Sequence, residues 1–422
     1  MVAGTPLIDL DHGPSPAVAI AARPRSRLSL LLAALAAVLL TLGGAAVTAP
    51  GLTPVLSTGA GVTAFQLGAG SFFAADLGEV RGYDLPDGSP RWVRPFTQDV
   101  RNLDYDAGAH VLLVLSGYDP RLTALDADSG STLWTNEAHD TLVIGVTGGA
   151  VLTRVDPAVG PTRLQSVDAR TGRVIWTRAV DFDGYLGPDE LFTAGGSARI
   201  VLVDPGGVVT VLRFTDGAVL ARGSLGVRFA PSDDPSAPAG FVNVGLVGDR
   251  LFVSRGNVGR QSLAAYSVVP VARLWQVDNA PIGTVVDCGG ILCLAGARSL
   301  TAVDPATGAV RWTQPSYGIA FGYDARSVFA YDNQENPEAA LLDVATGRVL
   351  RGLGRSRQLG RVVLRADPAG HGRTWVSAPD RGTGVVRTLG SLDGVASFRC
   401  VAADGYLVCP TTAGATAVWR IG

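Results

Sequence analysis

The sequence predicts an all-β fold: an eight-bladed β-propeller of four-stranded antiparallel blades, preceded by one N-terminal transmembrane helix. Three observations predict it. A strand-turn-strand motif returns about every 42 residues across residues 50–422, two further alternating apolar runs separate successive copies, and one long uncharged run lies near the N-terminus. Composition agrees, since 54 Gly and 25 Pro in 422 residues favour short strands and tight turns over long helices. With 47% hydrophobic and 17% charged residues the chain has enough apolar surface for a large core, which excludes disorder as its main state. All 35 basic residues are Arg, and against 37 acids they leave a formal charge of -2. That balance gives no footing for a nucleic-acid partner held electrostatically.

Residues 1–27 read as a short cytoplasmic tail and residues 28–49 as the span. The run LSLLLAALAAVLLTLGGAAVTA carries no charge, and as a helix it reaches roughly 33 Å, the thickness of a bilayer core. Arg23, Arg25 and Arg27 stand just before it, and the next charged residue is Asp76. The excess of arginine then keeps the tail inside and puts residues 50–422 outside the cytoplasm, as a single-pass membrane protein. A cleaved signal peptide is the competing reading, because Gly44, Ala45 and Ala46 suit a signal peptidase. Against it, the apolar run exceeds the usual length of about 7 to 15 residues, and the preceding segment is long and carries Asp9 and Asp11.

The repeat is clearest in LTALDADSGSTLW, LQSVDARTGRVIW and LTAVDPATGAVRW. These give the triplets Asp126, Gly130, Trp134; Asp168, Gly172, Trp176; and Asp304, Gly308, Trp312. Asp precedes Gly by four in each, and Trp follows it by four. A further copy supplies Asp84, Gly88 and Trp92. Two copies keep Asp343 with Gly347 and Asp380 with Gly384 but place Arg351 and Thr388 where Trp stands elsewhere. Two are degenerate, with Arg213, Gly217 and Ala221 in one and Ser267, Val271 and Trp275 in the other.

These residue types suit structure. The Asp carboxylate accepts backbone N–H groups of the turn that follows it, Gly supplies the positive φ of a tight hairpin, and Trp brings a large ring with one donor, fit to bridge neighbouring blades. Eight copies are more than one ligand site needs.

The chain ends in ATAVWRIG, which reads as a third strand without its fourth. Counting complete motifs gives eight blades, with residues 51–80 and 397–421 cooperating at the closure. Strand counting also allows nine, and seven stays open.

The four cysteines form two local pairs in the first-to-second-strand hairpins of their units. A turn at Asp404 and Gly405 sets Cys400 opposite Cys409, and a turn at Gly290 and Ile291 sets Cys288 opposite Cys293. Both pairs then fall on non-hydrogen-bonded positions, where Cα atoms approach to about 4.5 Å, a distance that suits a disulfide. Two disulfides agree with an extracytoplasmic domain. A four-cysteine zinc site is the rival, although neither spacing is a C-x-x-C knuckle.

No catalytic constellation stands out. His12, His110, His139 and His371 fall in no metal spacing, and neither a nucleophile elbow, a Walker loop nor a dinucleotide fingerprint is present. Asp126 with Asp128, and Asp181 with Asp183, open like calcium loops, but the first is already accounted for as a repeat turn and the second has Phe192 at the twelfth place. Two polar inserts, residues 231–238 and 332–338, break the rhythm and are either binding loops or plain solvated ones.

The motif Ala or Val-x-Asp-x-x-Thr-Gly-x-x-x-Trp at this period resembles the tryptophan-docking repeat of the PQQ-like β-propellers, over about residues 55–422. The resemblance implies the fold more than an activity, because that family holds quinoprotein dehydrogenases alongside non-catalytic assembly and scaffold proteins of bacterial envelopes. Its enzymes carry adjacent cysteines and a calcium-binding acid set, and no position here matches either. The expectation is therefore a non-catalytic protein-binding or scaffold module of the cell envelope, with no cofactor or metal and with an envelope protein as partner. A quinone-dependent oxidoreductase and a small-solute sensor are the alternatives.

Overall fold

The computed structural model describes residues 51–422, apart from 119–120, 137–140, 158, 181–191, 195–198, 229–240, 258–259, 281–283, 297–298, 333–337, 368–371 and 381–382. The tail 1–27, the apolar run 28–49, the Asp181 to Gly184 segment and the insert 231–238 lie outside the described residues. Among the described residues no helix is long and apolar enough to cross a membrane.

The described chain forms nine four-stranded antiparallel sheets, not eight. Blades 1 to 8 are each continuous in sequence, at residues 64–95, 100–136, 141–179, 192–224, 241–278, 284–314, 317–354 and 356–393. Blade 9 takes its three inner strands from residues 401–421 and its outer strand from Leu52–Ser57. That strand pairs with Thr416–Ile421, Leu52 opposite Ile421 and Ser57 opposite Ala417, with an irregularity between Pro54 and Leu56. Thr58 fastens the end of the seam, its N–H donating to the Thr416 carbonyl and its Oγ1 accepting the Thr416 N–H, both at 2.9 Å. The motif sits in the hairpin between third and fourth strands. In blade 9 the pairing of the two ends of the ring replaces that hairpin, so this blade has no motif to count.

Position in the blade explains the strand patterns. A second strand is covered on both faces by neighbouring blades, as in Ser71–Ala75, where all five residues are buried and four are apolar. An outer strand keeps one large buried side chain, as in Pro90–Pro95, where only Trp92 is buried. The core is a set of apolar layers between adjacent blades, and the layer joining Val408 and Val418 of blade 9 to Phe72 and Leu85 of blade 1 closes the ring.

Candidate functional site

The motif residues lie on the outer turns and lock blade to blade. Each tryptophan reaches the turn of the next blade, where its indole N–H donates to a carbonyl: Trp92 to Ala127 at 2.9 Å, Trp134 to Ala169 at 2.8 Å and Trp176 to Phe214 at 2.9 Å. Trp275 reaches Pro305 at 3.1 Å and Trp312 reaches Val344 at 2.8 Å. The ring lies on the motif glycine of that turn. A Cβ added at Gly130, Gly172, Gly217, Gly308 or Gly347 would come within 2.5 to 2.7 Å of indole carbon. All five glycines have φ between +67° and +74°, so both conformation and space require Gly.

The motif carboxylates hold the turns. Asp168 Oδ1 accepts the N–H groups of Arg170 and Thr171 and the Thr171 hydroxyl, and Asp343 Oδ1 accepts the N–H and hydroxyl of Thr346. The Thr171 hydroxyl holds the Asp168 carboxyl below its ordinary range against burial, and Arg311 does the same for Asp304. Asp126 is also lowered: burial works against ionisation, but hydrogen bonds from Ser129 and Arg170 outweigh it. Where the tryptophan is missing, other groups take its place. Leu350 packs on Gly384, and the backbone and side chain of Val55 and Leu56 cover Gly88 of blade 1.

The cysteines form two disulfides, Cys288 with Cys293 and Cys400 with Cys409, with Cα separations of 5.8 and 4.2 Å. Cys400 lies opposite Cys409 in register, because Val401 pairs with Val408 and Ala403 with Tyr406 around a turn in which Asp404 and Gly405 have φ of 51° and 80°. The expected register at the other hairpin is corrected. Val286, not Cys288, pairs with Cys293, and Asp287 pairs with Leu292. Cys288 lies in the loop, which is widened by Gly289 and Gly290 at φ of 81° and 98° and closed by the Cys288 N–H on the Ile291 carbonyl.

Between these disulfides lies a cavity of about 760 Å³ that no motif residue lines. One wall is the first strand of blade 7, Tyr317–Gly322. Its Ala320 is buried in the same apolar layer as Cys288 and Cys293, and Gly322 sits against the backbone of Cys288. The pleat then turns Ile319 and Phe321 to the opposite face, where they stay 51% and 46% exposed. Tyr331 stands beside them, its ring edge-on to Phe321 with centroids 6.4 Å apart.

The space exists because the first strand of blade 8, Ser356–Leu359, has only four residues and follows the last strand of blade 7 after the single residue Arg355. Arg355 and Arg357 line the cavity, and no Asp or Glu is among its described lining residues. Burial pushes the Tyr331 phenol up, opposed by the Gln358 backbone N–H and the Arg357 guanidinium. Phe398, 71% exposed, forms the far wall from a 3-10 turn, Ser397–Arg399. That turn is held at both ends, by the Ala396 N–H on the Pro410 carbonyl at 2.8 Å and by the Cys400 to Cys409 bond.

Among the described residues no group of three or more His, Cys, Asp or Glu converges on one point. His110 lies beside Asp128 at 3.4 Å on the surface, and His139 and His371 lie outside the described residues. Asp332 closes the base of the second insert, its N–H donating to the Glu338 carbonyl and its Oδ1 accepting the Glu338 N–H, both at 3.0 Å, while residues 333–337 lie outside the description.

A family model described as outer membrane protein assembly factor BamB matches residues 42–183. No curated protein matches the chain by sequence. Among solved structures, BamB from Moraxella catarrhalis is 16% identical and matches over 87% of this chain and 99% of that one, at a TM-score of 0.46. The computationally designed Ika8 protein, 14% identical, matches over 88% and 100%, also at 0.46. A eukaryotic initiation factor, 14% identical over 81% of this chain and 90% of that one, reaches 0.53 and bears on the fold alone. With the tryptophan-docking repeat carried round the ring and the family model matched to residues 42–183, the chain is similar to the PQQ-like β-propellers.

Proposed function

We propose that this chain is a non-catalytic protein-binding or scaffold module of the cell envelope, tethered by residues 28–49 with the propeller on the extracytoplasmic side. The observation that carries the reading is the match of residues 42–183 to a family described by an outer membrane assembly factor. It is supported by the use of the repeated Asp, Gly and Trp residues in holding the ring together, which leaves the inner ends of the blades to present a surface. Two disulfides agree with an oxidising compartment. The closing strand at Leu52 follows the apolar run after two residues in the sequence.

Mild crosslinking of intact cells, followed by isolation of the full chain, tests this. A protein partner in fixed stoichiometry is expected, together with no alcohol-dependent dye reduction when quinone and calcium are added. Dye reduction with bound quinone absorbance and no partner would overturn the reading in favour of an oxidoreductase.

A further inference from the structure

We propose that the cavity between the inner ends of blades 7 and 8 is a docking site for an extended peptide segment of a partner protein, one in which a bulky apolar side chain stands beside carboxylates. The proposal rests on the scaffold reading and names the chemistry of its partner. Single exposed hydrophobics are ordinary on a protein surface, but Ile319, Phe321 and Phe398 share one concavity of about 760 Å³. The same concavity carries two guanidinium groups, Arg355 and Arg357, and no carboxylate among its described lining residues. An apolar floor under an uncompensated positive rim selects a ligand that is apolar at its centre and anionic beside it.

Two further features favour a peptide over a fatty acid. Gln358 lines the cavity, and its Oε1 is buried with no hydrogen-bond donor while its Nε2 donates to the Gly322 and Gly360 carbonyls. A peptide N–H supplies the missing donor, and an ionised fatty acid has none. The strand Ser356–Leu359 is the edge strand of its sheet, paired only with Val362–Ala366, so apart from the Gln358 N–H, which the Tyr331 phenol accepts, its other edge has backbone groups for strand addition. The walls are also fixed before binding. The Cys288 to Cys293 bond backs the strand bearing Ile319 and Phe321, and the Cys400 to Cys409 bond roots the turn bearing Phe398. A preformed wall lowers the ordering cost of binding.

The test uses the full chain in phosphatidylcholine nanodiscs and a fluorescein-labelled peptide, Glu-Asp-Phe-Asp-Leu-Glu, followed by fluorescence anisotropy. Saturable binding is expected, at least tenfold weaker for Phe321→Ala and for Arg357→Glu. A peptide with Lys in place of each acid should bind weakly to the wild type and regain affinity for Arg357→Glu. Arg357 is exposed, so an unchanged melting temperature shows that the charge reversal keeps the fold, and Arg94→Glu on an outer strand should leave binding unchanged. Equal binding of the acidic and basic peptides, indifference to both cavity substitutions, or saturable binding of oleate without binding of the peptide would overturn the proposal. If the peptide fails while a partner still co-isolates with wild type and Arg357→Glu alike, the cavity assignment falls and the scaffold reading stands. If no partner co-isolates at all, the scaffold reading falls with it.

Discussion

The ring of Trp312 in blade 6 lies where a side chain on Gly347 of blade 7 would stand: a Cβ there would be 2.5 Å from the indole. The same tryptophan donates its N–H to the Val344 carbonyl at 2.8 Å, so stacking and hydrogen bond act on one turn. Gly347→Ala therefore meets two penalties, positive φ and overpacking, and is expected to cost about 2 to 4 kcal/mol. Trp312→Ala is expected to cost about 3 to 5 kcal/mol. In the Trp312→Ala background the clash is gone, and Gly347→Ala should cost only about 1 to 2 kcal/mol. Urea denaturation of the four proteins reads this coupling, and strict additivity would refute the docking geometry.

The ring seam gives a second prediction. Ser57 pairs with Ala417 next to the hydrogen-bonded pair of Thr58 and Thr416, at the end of the outer strand of blade 9. Cysteines placed at both positions should form a third disulfide in the oxidised chain, seen by non-reducing peptide mapping, and should raise the unfolding temperature. Two thiols that stay free and react with an alkylating agent would show that residues 52–57 do not close the ninth blade.

The natural disulfides differ in what they hold. Each closes a short loop, with sequence separations of 5 and 9, so about 2 to 3 kcal/mol is the upper range for either. Cys400→Ser with Cys409→Ser should lower the melting temperature more than the paired change at Cys288 and Cys293, because blade 9 is built from both ends of the ring and frays first. Equal or reversed effects would contradict that placement.

Acid should weaken the ring through its turns. Asp168 and Asp304 are held below the ordinary carboxyl range in the folded chain, chiefly by the Thr171 hydroxyl and by Arg311. A depressed folded value means that the contribution is complete above the unfolded pKa and is lost as pH falls through the folded one. Asp104, which burial pushes up against an Asn102 hydrogen bond, works in the opposite sense. Asp87, Asp126 and Asp216 are lowered in the same sense, so the lowered turn carboxylates outnumber the one raised group and should leave stability level down to about pH 5 and falling below about pH 4. Thr171→Val should flatten that fall, and an unchanged acid slope in this variant would dismiss the Asp168 turn as its source.

Much of this architecture is legible in the residues, and the parts that are not have physical reasons. Asp168, Gly172 and Trp176 announce a blade because turn chemistry and docking are local and repeat. The ninth blade carries no such signal, since the pairing of Leu52–Ser57 with Thr416–Ile421 takes the place of the hairpin that would bear it. Asp404 and Gly405 dictate a two-residue turn and so the register of Cys400, whereas Gly289 and Gly290 permit a wider loop and move Cys288 out of the ladder. The cavity is harder still. Ile319 and Phe321 read as an ordinary alternating strand, and their exposure depends on the short inner strand of blade 8, a property of two neighbouring blades and not of either segment.

The proposed function and the proposed docking site together require that a protein occupy the cavity between blades 7 and 8. A photoreactive amino acid placed at Phe398, and separately at Val174 on the exposed outer strand of blade 3, tests it in intact cells. The expected result is one discrete protein adduct from position 398, none from 174, and loss of the adduct when Arg357→Glu is added. Equal adducts from both positions, or none from 398 in a correctly folded chain, would contradict the account.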